Sequence, residues 1–101
     1  TSLTSASSPY TVLSDDFYIE ADASGGNITV NLPAAVDGQI LIILSITIPG
    51  AFSVIIARNG SEAIQGGTQC VLNAQWEGVV IAGKSGTGWR IIAQMGTPTV
   101  T

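Results

Sequence analysis

Residues 39–48, Gln-Ile-Leu-Ile-Ile-Leu-Ser-Ile-Thr-Ile, constrain this chain more than any other stretch. The β-branched bias and the turn residues Pro49-Gly50 that close so short a run mark it as a strand rather than a helix. With a period of two, Ile40, Ile42, Leu44, Ile46 and Ile48 share one face, and Leu41 and Ile43 open the other. A strand with one wet face would carry polar residues at 41 and 43, so both faces of this one need cover. In a chain of 101 residues the expected second cover is another copy. Leu41 and Ile43, on the less regular face, are the oligomer-interface candidates. A lysine at either should impair assembly by burying an unpaired charge, whereas changes at Ile42 or Leu44 should unfold the protomer.

Composition points the same way. The chain is 46% hydrophobic and only 10% charged, against the ~25% charged residues of ordinary soluble domains. Lys84, Arg58 and Arg90 face seven acids, for a net charge of −4, so no basic patch forms and nucleic acid and anionic membranes are not expected partners. The apolar run is far short of the ~20 residues of a membrane-spanning helix. Cys70 is the single cysteine, which excludes an internal disulfide and a thiolate metal cage. The first residue is Thr1, and the chain is expected to be processed, excised or partial.

Along the chain, residues 1–9 are rich in Ser and Thr and read as an arm or linker. Residues 10–95 then read as one β-domain, and 96–101 as an extended tail. Strands are expected at 10–13, 17–21, 27–32, 39–48, 52–57, 69–74, 76–82 and 89–94, separated by turns. Asn59-Gly60 suits a type I′ hairpin turn, and residues 83–88 form a glycine-rich hairpin turn. No ten-residue stretch has a 3.6-residue period with caps, so helix content should be near zero. The expected fold is all-β: an antiparallel β-sandwich or barrel-like sheet pair of about eight short strands, assembled as a trimer.

The order of these elements resembles a small β-domain of tail-fibre, tail-spike and other appendage proteins of tailed bacteriophages. The matching pieces are Tyr10-Thr11-Val12, Asp15-Asp16-Phe17-Tyr18-Ile19 and Gly26-Asn27-Ile28-Thr29-Val30-Asn31-Leu32-Pro33-Ala34. They continue through Asp37-Gly38-Gln39-Ile40, Val54-Ile55-Ile56, Asn59-Gly60, Ala63-Ile64-Gln65-Gly66-Gly67 and Gly88-Trp89-Arg90-Ile91-Ile92. The strand at 40–48 is more apolar than that pattern. The resemblance implies a trimeric structural module in the virion, made in the host cytoplasm, in contact with other virion proteins and supporting host attachment. Two rivals are a head-decoration protein and a carbohydrate-binding module reaching host-surface glycans. A glycan-hydrolase fragment is the third.

The chemistry-bearing residues are few. Without histidine and with one cysteine, triads and imidazole metal sites are excluded. Asp15 and Asp16 would have to serve any carboxylate-pair hydrolysis, yet adjacent turn acids ordinarily bond their own backbone. The Asp22-Ala23-Ser24-Gly25-Gly26-Asn27 stretch offers oxygen ligands at intervals, as a calcium loop does, but the closing acid is missing and an Asx-type loop is expected. Residues 83–88 lack phosphate-loop spacing. Trp89 and Cys70 are in phase with apolar neighbours and belong to the core, whereas Trp76 and Tyr18 are the candidate glycan contacts. No catalytic residue, cofactor or metal is expected.

Overall fold

Wherever period-two patterning is strong, this computed structural model, which describes residues 1–46 and 52–101, contains a strand. The strands are β1 (Ser2–Thr4), β2 (Tyr10–Thr11), β3 (Tyr18–Asp22), β4 (Ile28–Asn31), β5 (Ile40–Ser45) and β6 (Val54–Ala57). They continue with β7 (Ala63–Ile64), β8 (Gln69–Leu72), β9 (Gly78–Lys84), β10 (Gly88–Met95) and β11 (Thr99–Val100). A 3-10 turn at Ser5–Ser7 is the one helical element among the described residues, so the protein is all-β.

The connectivity departs from an antiparallel sandwich. One sheet has the order β1-β3-β5-β9-β10-β7 and the other β11-β8-β6-β4-β2. The first six strands alternate between the sheets, and within each sheet β1, β3, β5 and β2, β4, β6 lie parallel. A parallel neighbour needs a crossover, and here each crossover is a strand of the opposite sheet. The result is a short solenoid of stacked rungs. Antiparallel β9 and β8 then cover its last rung at β5 and β6. The sheets are therefore mixed.

Stacking in register builds the core. Ile19 lies beside Ile43, which lies beside Val79; across the gap Val30 lies beside Ile56 and then Cys70. All are buried, as are Ile28, Val54 and Leu72 of the neighbouring ladder. Leu41 and Ile43 have 0% exposure inside a single protomer, which corrects the assignment of these two residues to an oligomer interface. The physical reason is register: β4 and β6 bring their own aliphatic side chains against the 41/43 face, leaving the Ile40, Ile42, Leu44 and Ile46 face outside. The expected continuation through Thr47 and Ile48 to Pro49-Gly50 lies outside the described residues.

Other local expectations also change. Residues 1–9 contain β1, which joins β3 with Leu3 buried, and the 96–101 segment contains β11, paired to β8. Asn59-Gly60 does not close a hairpin, because β6 pairs with β4 and β8 while β7 pairs with β10. Gly60 does take φ +55°, but Asn59 does not share the positive φ of a type I′ turn. The hairpin expected at 83–88 does form, joining β9 to β10 through Ser85, Gly86 and Thr87 with Gly86 at φ +76°. At the edge, β7 approaches so closely that a Cβ on Gly88, itself at φ +128°, would lie 2.1 Å from the Ala63 carbonyl oxygen. Only glycine fits there.

Because the 41/43 face is the packed one, Ile43→Ala should lower unfolding free energy by about 2–5 kcal/mol. The outward Ile42→Ala should cost the protomer far less. Urea unfolding of both variants under the same conditions checks the order, and equal losses would contradict the assigned faces.

Candidate functional site

Five of the seven acids are spent on holding loops, as their backbone partners show. Asp16 accepts from the Leu13 amide at 2.8 Å, Asp22 from Ser24 at 3.0 Å, and Asp37 from Ser85 at 2.8 Å. Glu62 accepts from Ala35 at 2.9 Å and Glu77 from Asn73 at 2.8 Å. Carboxylates suit this task because a charged acceptor strengthens a bond to an otherwise orphaned loop amide. Asp15 and Glu20 accept no such amide.

The Asp15-Asp16 pair does not converge on a shared site. Asp16 is turned inward, accepting from the Tyr10 hydroxyl at 2.6 Å, from the Thr1 hydroxyl and from Leu13, while Asp15 is exposed. Burial pushes the Asp16 carboxyl up, but the bonds from Thr1, Tyr10 and Leu13 outweigh it and the net shift is downward. The same contact with Asp16, followed by burial, raises the Tyr10 phenol. The Asp22 loop is an Asx turn, as Ser24 donates back to Asp22. Asn27 spends its side-chain oxygen on the Ser53 amide at 2.8 Å, away from any loop ligand set. Among the described residues no three His, Cys, Asp or Glu side chains gather as metal ligands.

Cys70 and Trp89 sit in the core as their phase implies. Burial first, and then the nearby Glu77 charge, push the Cys70 thiol up to about 11. Glu77 is the residue that sequence reasoning missed. It is 4% exposed and bonds both Asn73 and Thr97, at 3.3 Å for the latter, tying the approach to β9 to the segment after β10. Its position just after Trp76, at the start of the strand expected at 76–82, carries no pattern that sets it apart from a surface acid.

The two glycan candidates are not brought together. Tyr18 is half-buried on the outer side of β3, level with Ile42, and its hydrogen bond to Glu20 raises its phenol. Trp76 lies in the turn before β9, its amide on the Ser45 carbonyl, about 10 Å further along the strands at ~3.3 Å per residue. Trp76 is 58% exposed with φ +63°, a left-handed backbone that bulky residues seldom hold.

The outer face of the first sheet is apolar across its middle. One register row crosses Tyr18, Ile42, Val80 and Ala93; the next crosses Glu20, Leu44, Gly78 and Met95. A third joins Ile40, Ala82 and Arg90, and Ile92 stands out beside the bulge in β10 at 58% exposure. The outer side chains of the middle two strands are thus aliphatic or glycine up to Lys84, which ends β9. Soluble monomers seldom leave such a contiguous face open. Compared with known proteins, the chain matches no family model and no curated protein sequence.

Two titrations follow. Asp16, whose carboxyl is lowered, adds stability above its ordinary value of 3.8 that is lost as pH falls through the folded value; unfolding free energy should drop there, and the drop should shrink in Asp16→Ala. Cys70, whose thiol is raised from 9.0 to about 11, adds stability present below pH 9.0 and lost as pH climbs toward 11. A disulfide reagent at pH 8 should label Cys70 only as fast as the protein opens, which stopped-flow labelling with and without urea measures.

Proposed function

We propose that this chain is a non-catalytic structural module that assembles with copies of itself as a homotrimer, in the manner of the β-domains of tailed-phage fibres and spikes that its sequence resembles. The observation that carries the reading is the aliphatic outer face of β5 and β9, a surface built to be covered. The solenoid rungs support it, because stacked and cross-bonded strands make a stiff spacer between neighbouring modules. The acids support it too: most are engaged as loop clamps and leave little for acid–base chemistry. In this role the module bears load in a virion appendage and contacts other virion proteins.

A second reading has one specific observation in its favour. Trp76 is exposed on a strained backbone, and strain of this kind is retained where a side chain is being presented. An indole face offered in this way stacks on sugar rings, so weak glycan binding at Trp76 belongs with a receptor-facing module.

Native mass spectrometry at micromolar concentration should give the mass of three chains. A stable monomer with a native β-sheet circular-dichroism spectrum would overturn the structural reading. Titration with host-surface glycans should leave Trp fluorescence unchanged; a saturable change that Trp76→Ala abolishes, with the fold intact, would transfer the function to receptor binding.

A further inference from the structure

Charge on the outer face of the first sheet is distributed along a diagonal. Glu20 and Asp22 project outward from β3, in phase with Tyr18, at the level of Leu44 and beyond. Arg90 projects outward from β10, at the level of Ile40. Lys84, in phase with Val80 and Ala82 on β9, lies one step further the same way. Two of the chain's three basic residues therefore occupy one corner and two acids the opposite one, with Ile42, Val80 and Leu44 between them. Asp37, held by the Ser85 amide, partly offsets Lys84, so Arg90 is the decisive cation. Among the described residues Arg90 has no ion-pair partner. Glu20 is also one of the two acids with no loop amide to hold.

We infer that this face is the surface through which copies of the chain associate, the acidic corner of one copy meeting the Arg90 corner of the next across the shared Ile42–Val80 strip. The inference rests on the self-assembling reading above and assigns it a surface. A foreign partner would need no particular arrangement, but a copy must match the face that it is itself part of. In a ring of three each copy exchanges contacts with its neighbours through opposite edges of one face, so charges of opposite sign at those edges favour the contact. The distances allow this exchange. Glu20 and Arg90 are three strand spacings apart across the sheet and four residues apart along it, ~14 Å by ~13 Å at ~4.8 Å per strand and ~3.3 Å per residue. In a ring of three, strands inclined so that this diagonal lies across the threefold axis bring the Glu20 corner of one copy to the Arg90 corner of the next.

Two pairs of variants test the inference on the full chain. In analytical ultracentrifugation, Ile42→Lys and Val80→Lys should each weaken association at least tenfold without altering the β-sheet spectrum. Glu20→Arg and Arg90→Glu, both at positions outside the core, should each weaken it less, more so at low salt, and the double variant should recover most of the loss. Wild-type-like association in both lysine variants would overturn this surface while leaving a self-assembling module intact. Loss in each charge variant with no recovery in the double one would overturn the corner pairing. A monomeric wild type would overturn the surface and the proposed function together.

Discussion

Everything in this fold depends on like side chains stacking in register between parallel rungs. Ile19 on Ile43 and Val30 on Ile56 fix which residues of each strand face inward, and β9 and β8 extend those ladders to Val79 and Cys70. A slip of one residue would turn the whole inner set to solvent, so the aliphatic ladders set register as well as stability. They also decide the exterior. Once Leu41 and Ile43 are inside, Ile40, Ile42 and Leu44 have nowhere to point but out.

The few ionisable groups are then divided between two tasks. Loops between rungs have amides with no ladder partner, and Asp16, Asp22, Asp37, Glu62 and Glu77 accept from them. Glu20 and Arg90 instead stand on the outer sheet face, clear of the loop amides. So low charge in this chain reflects economy: most charges that remain secure either the shape of a loop or the border of a surface.

Strand identity was legible from the residues, since alternation over 18–22, 28–31, 40–45 and 69–72 is a direct imprint of a half-buried pleat. The direction of pairing was not. Period two states that a strand has an inside and an outside but says nothing about which strand lies beside it or which way it runs. That is how Asn59-Gly60, a good turn sequence, came to suggest a hairpin between strands that belong to different sheets. The two apolar sides of β5 were legible as well, but the choice of the inner one depends on the aliphatic ladders of β4 and β6 across the gap. β1, β7 and β11 are two or three residues long, too short to alternate visibly, and Glu77 gained its buried role from Thr97, far along the chain.

The alternation of rungs between sheets has a kinetic consequence. Leu3 waits for Ala21, and Ile19 for Ile43, before either can pair, and each such closure must order a full crossover through the other sheet. Among the described residues the β9–β10 hairpin pairs two long strands over a short loop, so it can form within microseconds while the solenoid is still open. Until β5 arrives, β9 presents an unpaired edge and an aliphatic flank at the same time. Chains at high concentration meet in that interval with both surfaces available, and the yield of correctly folded protein is set by how quickly the rungs stack relative to how often two unfinished chains collide.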